Sequence, residues 1–453
     1  MASSGSAFVI GAGSAGCAAA MGLARSGWQV TIAEPGGVGG TCLWAGCVPK
    51  KALYVSTGAW DALRRDPRFG VLPGHATLDW NQVMAWKRDA QTGVAGDQEA
   101  LLATLGIEHV PRPAKFVSSD EVAFADEVRR PDAVVIATGA RTIMPDLPGI
   151  GLADTSGSAL SYRTLPESLV IVGAGYIGAE FAAAYAPLGT TVTLIARGER
   201  ILPMFDAELA AIAAARLGAA GVEILTRTSV IGLEGRPGRV VTHVADGSGR
   251  SSDIASERVL MAVGRKPATE HLDLDAAGIR TDERGRLVLT EAQQTTNPRV
   301  WACGDAAGTL QLKPSSELAG RAVARSIASG IPQTVSYASV PSTVFTLPQL
   351  AQVGLTEQEA AKRGIAVRTS RQVYATLPAA IIEDERDGLI KLLFAEKDGR
   401  LLGAAIAGPA ASELIYACAL GIRTGATEED FAETVGIHAA FSEGLNFAAL
   451  GDA

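Results

Sequence analysis

One pattern occurs twice in this chain and limits the fold more than any other feature. In "SAFVIGAGSAGCAAAMGLARSGWQVTIAEPG" a short apolar strand, residues 7–10, runs into Gly11-x-Gly13-x-x-Gly16 and an alanine-rich helix. A second strand, residues 29–33, then ends at Glu34. In "ESLVIVGAGYIGAEFAAAYAPLGTTVTLIARGERIL" the same order returns, with Gly173-x-Gly175-x-x-Gly178 at the turn. A lone glycine triplet is weak evidence, because glycine-rich turns abound. With strand, helix and second strand in order, the triplet marks a Rossmann-type dinucleotide unit. The first glycine makes the tight turn, the second lets the backbone approach a pyrophosphate, and the third lets helix and strand pack closely. The pyrophosphate is favoured at the helix N-terminus, where free N–H groups and the helix dipole attract negative charge. Two such units predict an α/β chain with two dinucleotide sites.

The units differ where the second strand ends. Glu34 is placed to accept hydrogen bonds from a ribose diol, whereas the second unit has Ala196 there, followed by Arg197 and Arg200. A missing carboxylate beside guanidinium groups suits a 2′-phosphate, hence NADP rather than NAD. Further strands run into Thr138-Gly139, Gly264 and Asp305, the carboxyl-edge positions where such sheets bind ligands. From about residue 338 the character changes. "PSTVFTLPQLAQVGLT" and "GLIKLLFAEKDGRLLGAAIAG" read as antiparallel strands with a turn at Lys397-Asp398-Gly399, followed by two helices, which predicts a separate α+β domain.

Bulk properties exclude several classes. The formal net charge of −8 argues against nucleic acid or an acidic membrane surface as the main partner. No apolar run reaches membrane-spanning length, and the start lacks the basic segment of a signal peptide. Five cysteines in 453 residues do not make a secreted disulfide framework, so a cytoplasmic location is expected. Cys42 and Cys47 nevertheless stand close together in "GGTCLWAGCVPKK". A zinc reading needs a further Cys or His pair at ligand spacing, and Cys17, Cys303 and Cys418 stand alone, so no metal site is expected. Pro49 and the helical "KALYVSTGAWDAL" predict a helix start near Cys47, where a thiol pKa is lowered.

Taken together, "GAGSAG", "GGTCLWAGCVPKK", "ATG", "GAGYIGAE", "AVGRKP", "ACGDAAG", "VGLTEQEA" and "HAAFSE" resemble the pyridine nucleotide-disulfide oxidoreductases of the glutathione reductase, dihydrolipoamide dehydrogenase and mercuric reductase group, over nearly the whole chain. The resemblance implies an FAD-binding domain (1–146 and 268–337), an NAD(P)H-binding domain (147–267) and a C-terminal α+β dimerisation domain (338–453) in a homodimer. It implies that Gly11, Gly13, Ser14, Gly16, Glu34, Gly40, Thr41, Thr138, Gly139 and Asp305 hold FAD. Gly173, Gly175, Tyr176, Gly178, Arg197, Arg200 and Gly264 would serve the nicotinamide nucleotide, with Tyr176 as a lid over the flavin. Hydride would pass from NADPH to the flavin, which opens a Cys42–Cys47 disulfide. Cys47 would be the charge-transfer thiolate and Cys42 the thiol that attacks an external disulfide. Lys50, paired with Glu180, would stabilise the reduced flavin. His438 and Glu443 would act across the dimer as the acid–base pair for Cys42, the carboxylate fixing the tautomer and raising basicity.

Several positions depart from the family. Ala439 follows His438 where proline is usual and the bond is typically cis; a cis bond before alanine costs roughly 3 kcal/mol. Trp44 replaces the usual asparagine of the redox loop, placing an indole where it could narrow the flavin edge or contact substrate. Met21 stands where glutathione reductase has a substrate-anchoring arginine, while Arg321 matches another. These features suggest an NADPH-dependent reductase of a small disulfide less anionic than glutathione disulfide. The alternatives are NAD-dependent oxidation of a dithiol such as dihydrolipoamide, or a flavoprotein redox sensor that turns nothing over.

Overall fold

The computed structural model describes residues 5–64, 74–308 and 310–451. The chain divides into two compact units. The first comprises 1–52, 84–143 and 264–336, and the second 53–83, 144–263 and 337–453.

The first unit is built on a five-stranded parallel sheet ordered Val300–Ala302, Ala133–Ile136, Ser6–Ile10, Gln29–Ala33, Glu108–Val110. Its central strands are apolar along their whole length, because helices cover parallel sheets and both faces lose contact with water. Val9, Ile32 and Val135 are fully buried on one side with Leu23 of the helix Ser14–Arg25. That helix is nearly all small residues, and it packs against the helix Lys313–Ser329 at close range. A Cβ at Gly22 would stand 2.6 Å from the Ala324 methyl. The other face is closed by Phe8, Ile136, Phe116 and Phe124, the last two from a small antiparallel sheet.

The second unit repeats the scheme with Glu223–Leu225, Thr191–Ile195, Ser168–Val172 and Arg258–Met261 in parallel. It also contains a five-stranded antiparallel sheet ordered Ser342–Val344, Leu350–Gly354, Leu401–Ala407, Leu389–Ala395, Val367–Val373. The expected turn falls between Leu389–Ala395 and Leu401–Ala407, with Gly399 at φ +69°. Three helices follow rather than two. Ala411–Thr424 and Glu443–Leu450 are joined by a short one, Glu428–Glu433, which Thr427 and Asp430 close with a reciprocal capping box.

The two glycine turns are superposable in their logic. Gly11 (φ +107°) and Gly173 (φ +108°) adopt a backbone closed to other residues, and a Cβ on either would meet the carbonyl of Ala137 or Ala262. At Gly16 and Gly178 the conflict is one of space: a Cβ would run into the carbonyl oxygens of Gly11 and Gly173. The middle glycines face open space, with only the Gly40 Cα, at 4.0 Å, near Gly13 and nothing near Gly175. Gly16→Ala is therefore expected to lower stability by about 2–4 kcal/mol, because backbone must move. Gly13→Ala should unfold at the wild-type denaturant midpoint. Paired chemical denaturation of the two variants checks this, and equal midpoints would contradict it.

Candidate active site

The Cys42 segment is seated on the first glycine turn. The amide of Gly39 donates to the carbonyl of Ala12 at 2.8 Å, and a Cβ at Gly40 would stand 2.8 Å from the Gly13 Cα. Gly39 (φ +103°) opens the short helix Gly40–Trp44, which carries Thr41 and Cys42. The longer helix Cys47–Arg64 starts at Cys47, as the sequence predicted, with Lys50 half-buried in its first turn. Gln91, itself buried, donates to the carbonyls of Leu43 (3.0 Å) and Trp44 (3.1 Å) and so fixes the loop from the side. Trp44 turns back on its own loop. Its indole N–H donates to the Val38 carbonyl at 2.9 Å, and its ring lies along Gly37.

Cys42 and Cys47 are not joined by a disulfide here, but their side chains are hydrogen-bonded. Cys42 is half-buried and Cys47 exposed. The hydrogen bond to Cys47, then burial, raise the Cys42 pKa above the ordinary thiol value. Cys42 thus holds its proton toward Cys47, and as a thiol it is a poor nucleophile until a base removes that proton. The buried thiols of Cys17, Cys303 and Cys418 are each pushed up to about 12 by burial, which suits packing rather than redox work.

The surrounding residues fit a dinucleotide. Beyond the open space over Gly13, the Thr138 hydroxyl is buried without a partner, and Gly139 (φ +73°) has open space around it. Glu34 is held at its strand end by the amides of Ala12 (3.1 Å) and Gly36 (2.7 Å), leaving each carboxylate oxygen a further lone pair. Asp305 lies on the turn Gly304–Ala307, where its Oδ2 accepts from Arg265 at 2.5 Å. Arg265 also donates to the Ala140 carbonyl at 2.8 Å. Arg265 lies in the "AVGRKP" motif directly after Gly264, but that motif did not reveal its bond to Asp305. Ser14 opens the first helix.

In the second unit Gly175 precedes the helix Tyr176–Tyr185, so Tyr176 stands at its N-terminus. Glu180, on the same helix, is buried and accepts from the amide of Phe345 at 2.9 Å. The arginines after Ala196 separate. Arg200 donates to the carbonyls of Leu202 (3.1 Å), Pro203 (2.9 Å) and Phe205 (3.0 Å), so it staples its own loop. Arg197 is exposed.

His438 and Glu443 meet, with Nδ1 and Oε1 2.9 Å apart. The imidazole is 76% exposed, its carboxylate only 11%, and the second oxygen of Glu443 is buried without a partner. The His438–Ala439 peptide is cis, so the bond expected of the family's proline is kept with alanine. Val435 and Ile437 beside it are among the most exposed apolar side chains described.

A cavity of about 410 Å³ in the first unit is lined by Ala18, Met21, Leu102, Arg25, Arg321, Arg325 and Glu317, the last 3.8 Å from Arg321. Met21 and Arg321 thus share one cavity. Arg25 and Arg325, one helical turn from each in sequence, add positive charge that the Met21 substitution alone did not suggest. Among the described residues no cluster of three metal-ligating side chains occurs, and no helix is long and apolar enough to cross a membrane.

In the reduced chain, alkylation of Cys42 by iodoacetamide should rise only above the ordinary thiol pKa. Cys47→Ala removes the hydrogen bond that raises that pKa, so the midpoint should move to lower pH. Peptide-resolved alkylation against pH measures it, and an upward shift would refute the donor direction.

Comparison with known proteins agrees with this geometry. Residues 5–334 match the family model described as pyridine nucleotide-disulphide oxidoreductase, and residues 340–449 match that family's dimerisation domain. The chain is 35% identical over 443 residues to the dihydrolipoyl dehydrogenase of Geobacillus stearothermophilus, covering 96% of this chain and 93% of that protein. It is 32% identical over 445 residues to the mercuric reductase of Bacillus cereus, covering 98% and 70%. Among solved structures it resembles the Cu(II) complex of the HOCl-induced flavoprotein disulfide reductase RclA from Escherichia coli, with TM-score 0.88, 27% identity and 99% of each chain covered. It also resembles LpdA from Mycobacterium tuberculosis, with TM-score 0.89, 27% identity, and 98% and 99% covered. With two glycine turns, a close cysteine pair at a helix start and a matched dimerisation domain, the chain belongs to the pyridine nucleotide-disulphide oxidoreductases, FAD-dependent enzymes that also bind a pyridine nucleotide.

Proposed function

We propose that the chain, as a homodimer, uses NADPH to reduce a small disulfide through Cys42 and Cys47. The observation that carries this reading is the hydrogen bond between the two thiols where the redox loop docks on the first glycine turn. FAD, when bound, supplies the two-electron relay between NADPH and a Cys42–Cys47 disulfide. Gly11, Gly13, Ser14, Gly16, Glu34, Gly40, Thr41, Thr138, Gly139 and Asp305 are the residues proposed to hold it. Lys50 contributes the positive charge that favours the reduced ring.

The protein's own chemistry then runs on sulfur. His438 of the second copy, oriented by Glu443, removes the proton from Cys42. The Cys42 thiolate attacks one sulfur of the substrate, forming a mixed disulfide and releasing a thiolate that takes the proton back from His438. Cys47 next attacks the Cys42 sulfur, closing the protein disulfide and releasing the second thiolate. The balance is NADPH, a proton and one disulfide giving NADP⁺ and two thiols. Ala196 and the exposed Arg197 support the phosphorylated nucleotide, with Gly173, Gly175, Tyr176, Gly178 and Gly264 forming the rest of that site. Arg200 is proposed to shape the loop rather than meet the phosphate. Met21 supports a substrate less anionic than glutathione disulfide, and the cavity it lines mixes Arg25, Arg321 and Arg325 with Glu317.

A second reading is NAD-dependent oxidation of a dithiol, in keeping with the name of the dihydrolipoyl dehydrogenases among the relatives. Steady-state turnover with a panel of low-molecular-weight disulfides and both nucleotides separates the two. NADPH should exceed NADH in kcat/KM by at least about tenfold, the discrimination a phosphate-reading arginine supplies. His438→Gln should lower disulfide turnover by about 10²–10⁴, the usual weight of a general acid–base group. A preference for NAD with dihydrolipoamide would replace the first reading by the second. Absence of turnover with every disulfide and dithiol would leave a redox sensor.

A further inference from the structure

A buried charge cluster in the second unit has no part in the chemistry above. Lys391, on the strand Leu389–Ala395, has a side chain wholly shielded from solvent. Its ammonium donates to both carboxylate oxygens of Asp206 at 2.9 Å, to Glu357 at 2.8 Å, and contacts Glu208. Arg371 bridges Glu208 and Glu357 from the neighbouring strand. Burial opposes the charge on Lys391, yet the bonds from Glu208, Glu357 and Asp206 keep its pKa above the ordinary value. A buried lysine that stays charged is costly to place, and it needs its partners in one geometry.

What the cluster fixes is the segment after the second Rossmann strand. Asp206, equally buried, caps the helix Ala207–Ala219 by accepting from the Glu208 amide at 3.0 Å. The Asp206 amide donates to Gln352 Oε1 at 3.0 Å, and Gln352 Nε2 donates to the Met204 carbonyl at 3.0 Å. Gln352 lies on Leu350–Gly354, in the same antiparallel sheet as Lys391. Upstream, Arg200 staples residues 202, 203 and 205, and the Leu202 amide donates to Ala174 at 2.8 Å. Ala174 belongs to the second glycine turn. The antiparallel sheet is therefore joined by continuous hydrogen bonds, through 202–206, to the turn on which a pyrophosphate would rest. Arg197 lies upstream of it, between Ala196 and Gly198, whose carbonyls accept from the amides of Thr228 (3.1 Å) and Arg227 (2.9 Å), and Arg200 links that stretch to 202–206.

We infer that Lys391, with Gln352, is a positioning residue for nicotinamide-nucleotide recognition: the C-terminal sheet holds the 197–206 segment in register with the second glycine turn, and so sets how well Arg197 engages a 2′-phosphate. The inference rests on the NADPH reading proposed above. It makes nucleotide selectivity depend on side chains that do not themselves meet the nucleotide.

The test uses the FAD-loaded dimer and measures Kd for NADP⁺ and NAD⁺ by calorimetry, with KM and kcat for NADPH alongside. Lys391→Met and Gln352→Ala are each expected to raise the NADP⁺ Kd by about fivefold or more, while the NAD⁺ Kd changes by less than about twofold and kcat is kept. In an Arg197→Ala background the same substitutions should add little, because the group they position is gone. A merely structural role would lower Tm and leave the two Kd values in their original ratio, which would overturn the inference. Should Lys391→Met fail to fold, Gln352→Ala decides alone, since it removes two neutral hydrogen bonds and leaves the ion cluster intact. The two readings fail separately. If Arg197→Ala itself leaves the NADP⁺ to NAD⁺ ratio unchanged, the 2′-phosphate reading is wrong. If Arg197→Ala alters that ratio and the sheet variants do not, the positioning role is wrong.

Discussion

The close approach of backbone to backbone at the first glycine turn governs most of what surrounds it. Without a Cβ at Gly16, the helix Ser14–Arg25 can begin directly against the Gly11 carbonyl. The Ala12 carbonyl accepts from Gly39, and the bare Cα of Gly40 is free to approach that of Gly13. The nucleotide turn and the redox loop are thereby one packed piece, and Cys42 is placed by the residues proposed to hold the cofactor. Gln91 and Trp44 complete the loop from within the same unit. Gln91 ties down two carbonyls, and Trp44 folds over Gly37 with its N–H satisfied. Buried polar groups without partners are costly, so these bonds limit the loop to one arrangement.

The cysteine pair is asymmetric, and its chemistry follows from that. Cys47 opens a helix, where the unsatisfied N–H groups favour a negative sulfur, while Cys42 is half-buried and hydrogen-bonded toward it. One sulfur is suited to carry charge and the other to carry a proton. A pair arranged in this way needs an outside base before it can attack a substrate. The dimerisation domain presents a candidate of the right kind in His438, a largely exposed imidazole backed by the buried carboxylate of Glu443. A carboxylate accepting at Nδ1 fixes the tautomer, and in the proposed reading Nε2 is then the nitrogen left for proton exchange.

The cluster around Lys391 belongs to a different order of interaction. Removing one member of a buried ion pair typically costs about 3–5 kcal/mol, because the remaining charge has neither water nor partner. Hydrophobic residues could often fill such a space with equal stability, so the cluster's distinctive property is directional. Lys391 fixes the orientation of Asp206, and Asp206 ends the segment carrying Arg197 and Arg200. A greasy contact would hold that segment less definitely.

The glycine triplets, the strand ends and the helix start at Cys47 were legible because each is a short-range pattern. Steric exclusion at Gly11 and Gly16 is decided within a few residues, and an apolar strand beside an alanine-rich helix admits few other folds. The paired His438 and Glu443 were legible for the same reason, being close in sequence. The roles of Trp44, Arg197 and Arg200 were not. Two arginines in one loop look alike in a string of letters, and only the folded chain turns Arg200 onto the carbonyls of 202, 203 and 205 while leaving Arg197 exposed. Likewise the cavity shared by Arg25, Glu317, Arg321 and Arg325, and the meeting of Lys391 with Asp206, bring together residues far apart along the chain. Local sterics and periodicity thus wrote the architecture into the sequence. Long-range pairing of charges and hydrogen bonds, which depends on where distant segments come to lie, was settled by the tertiary structure.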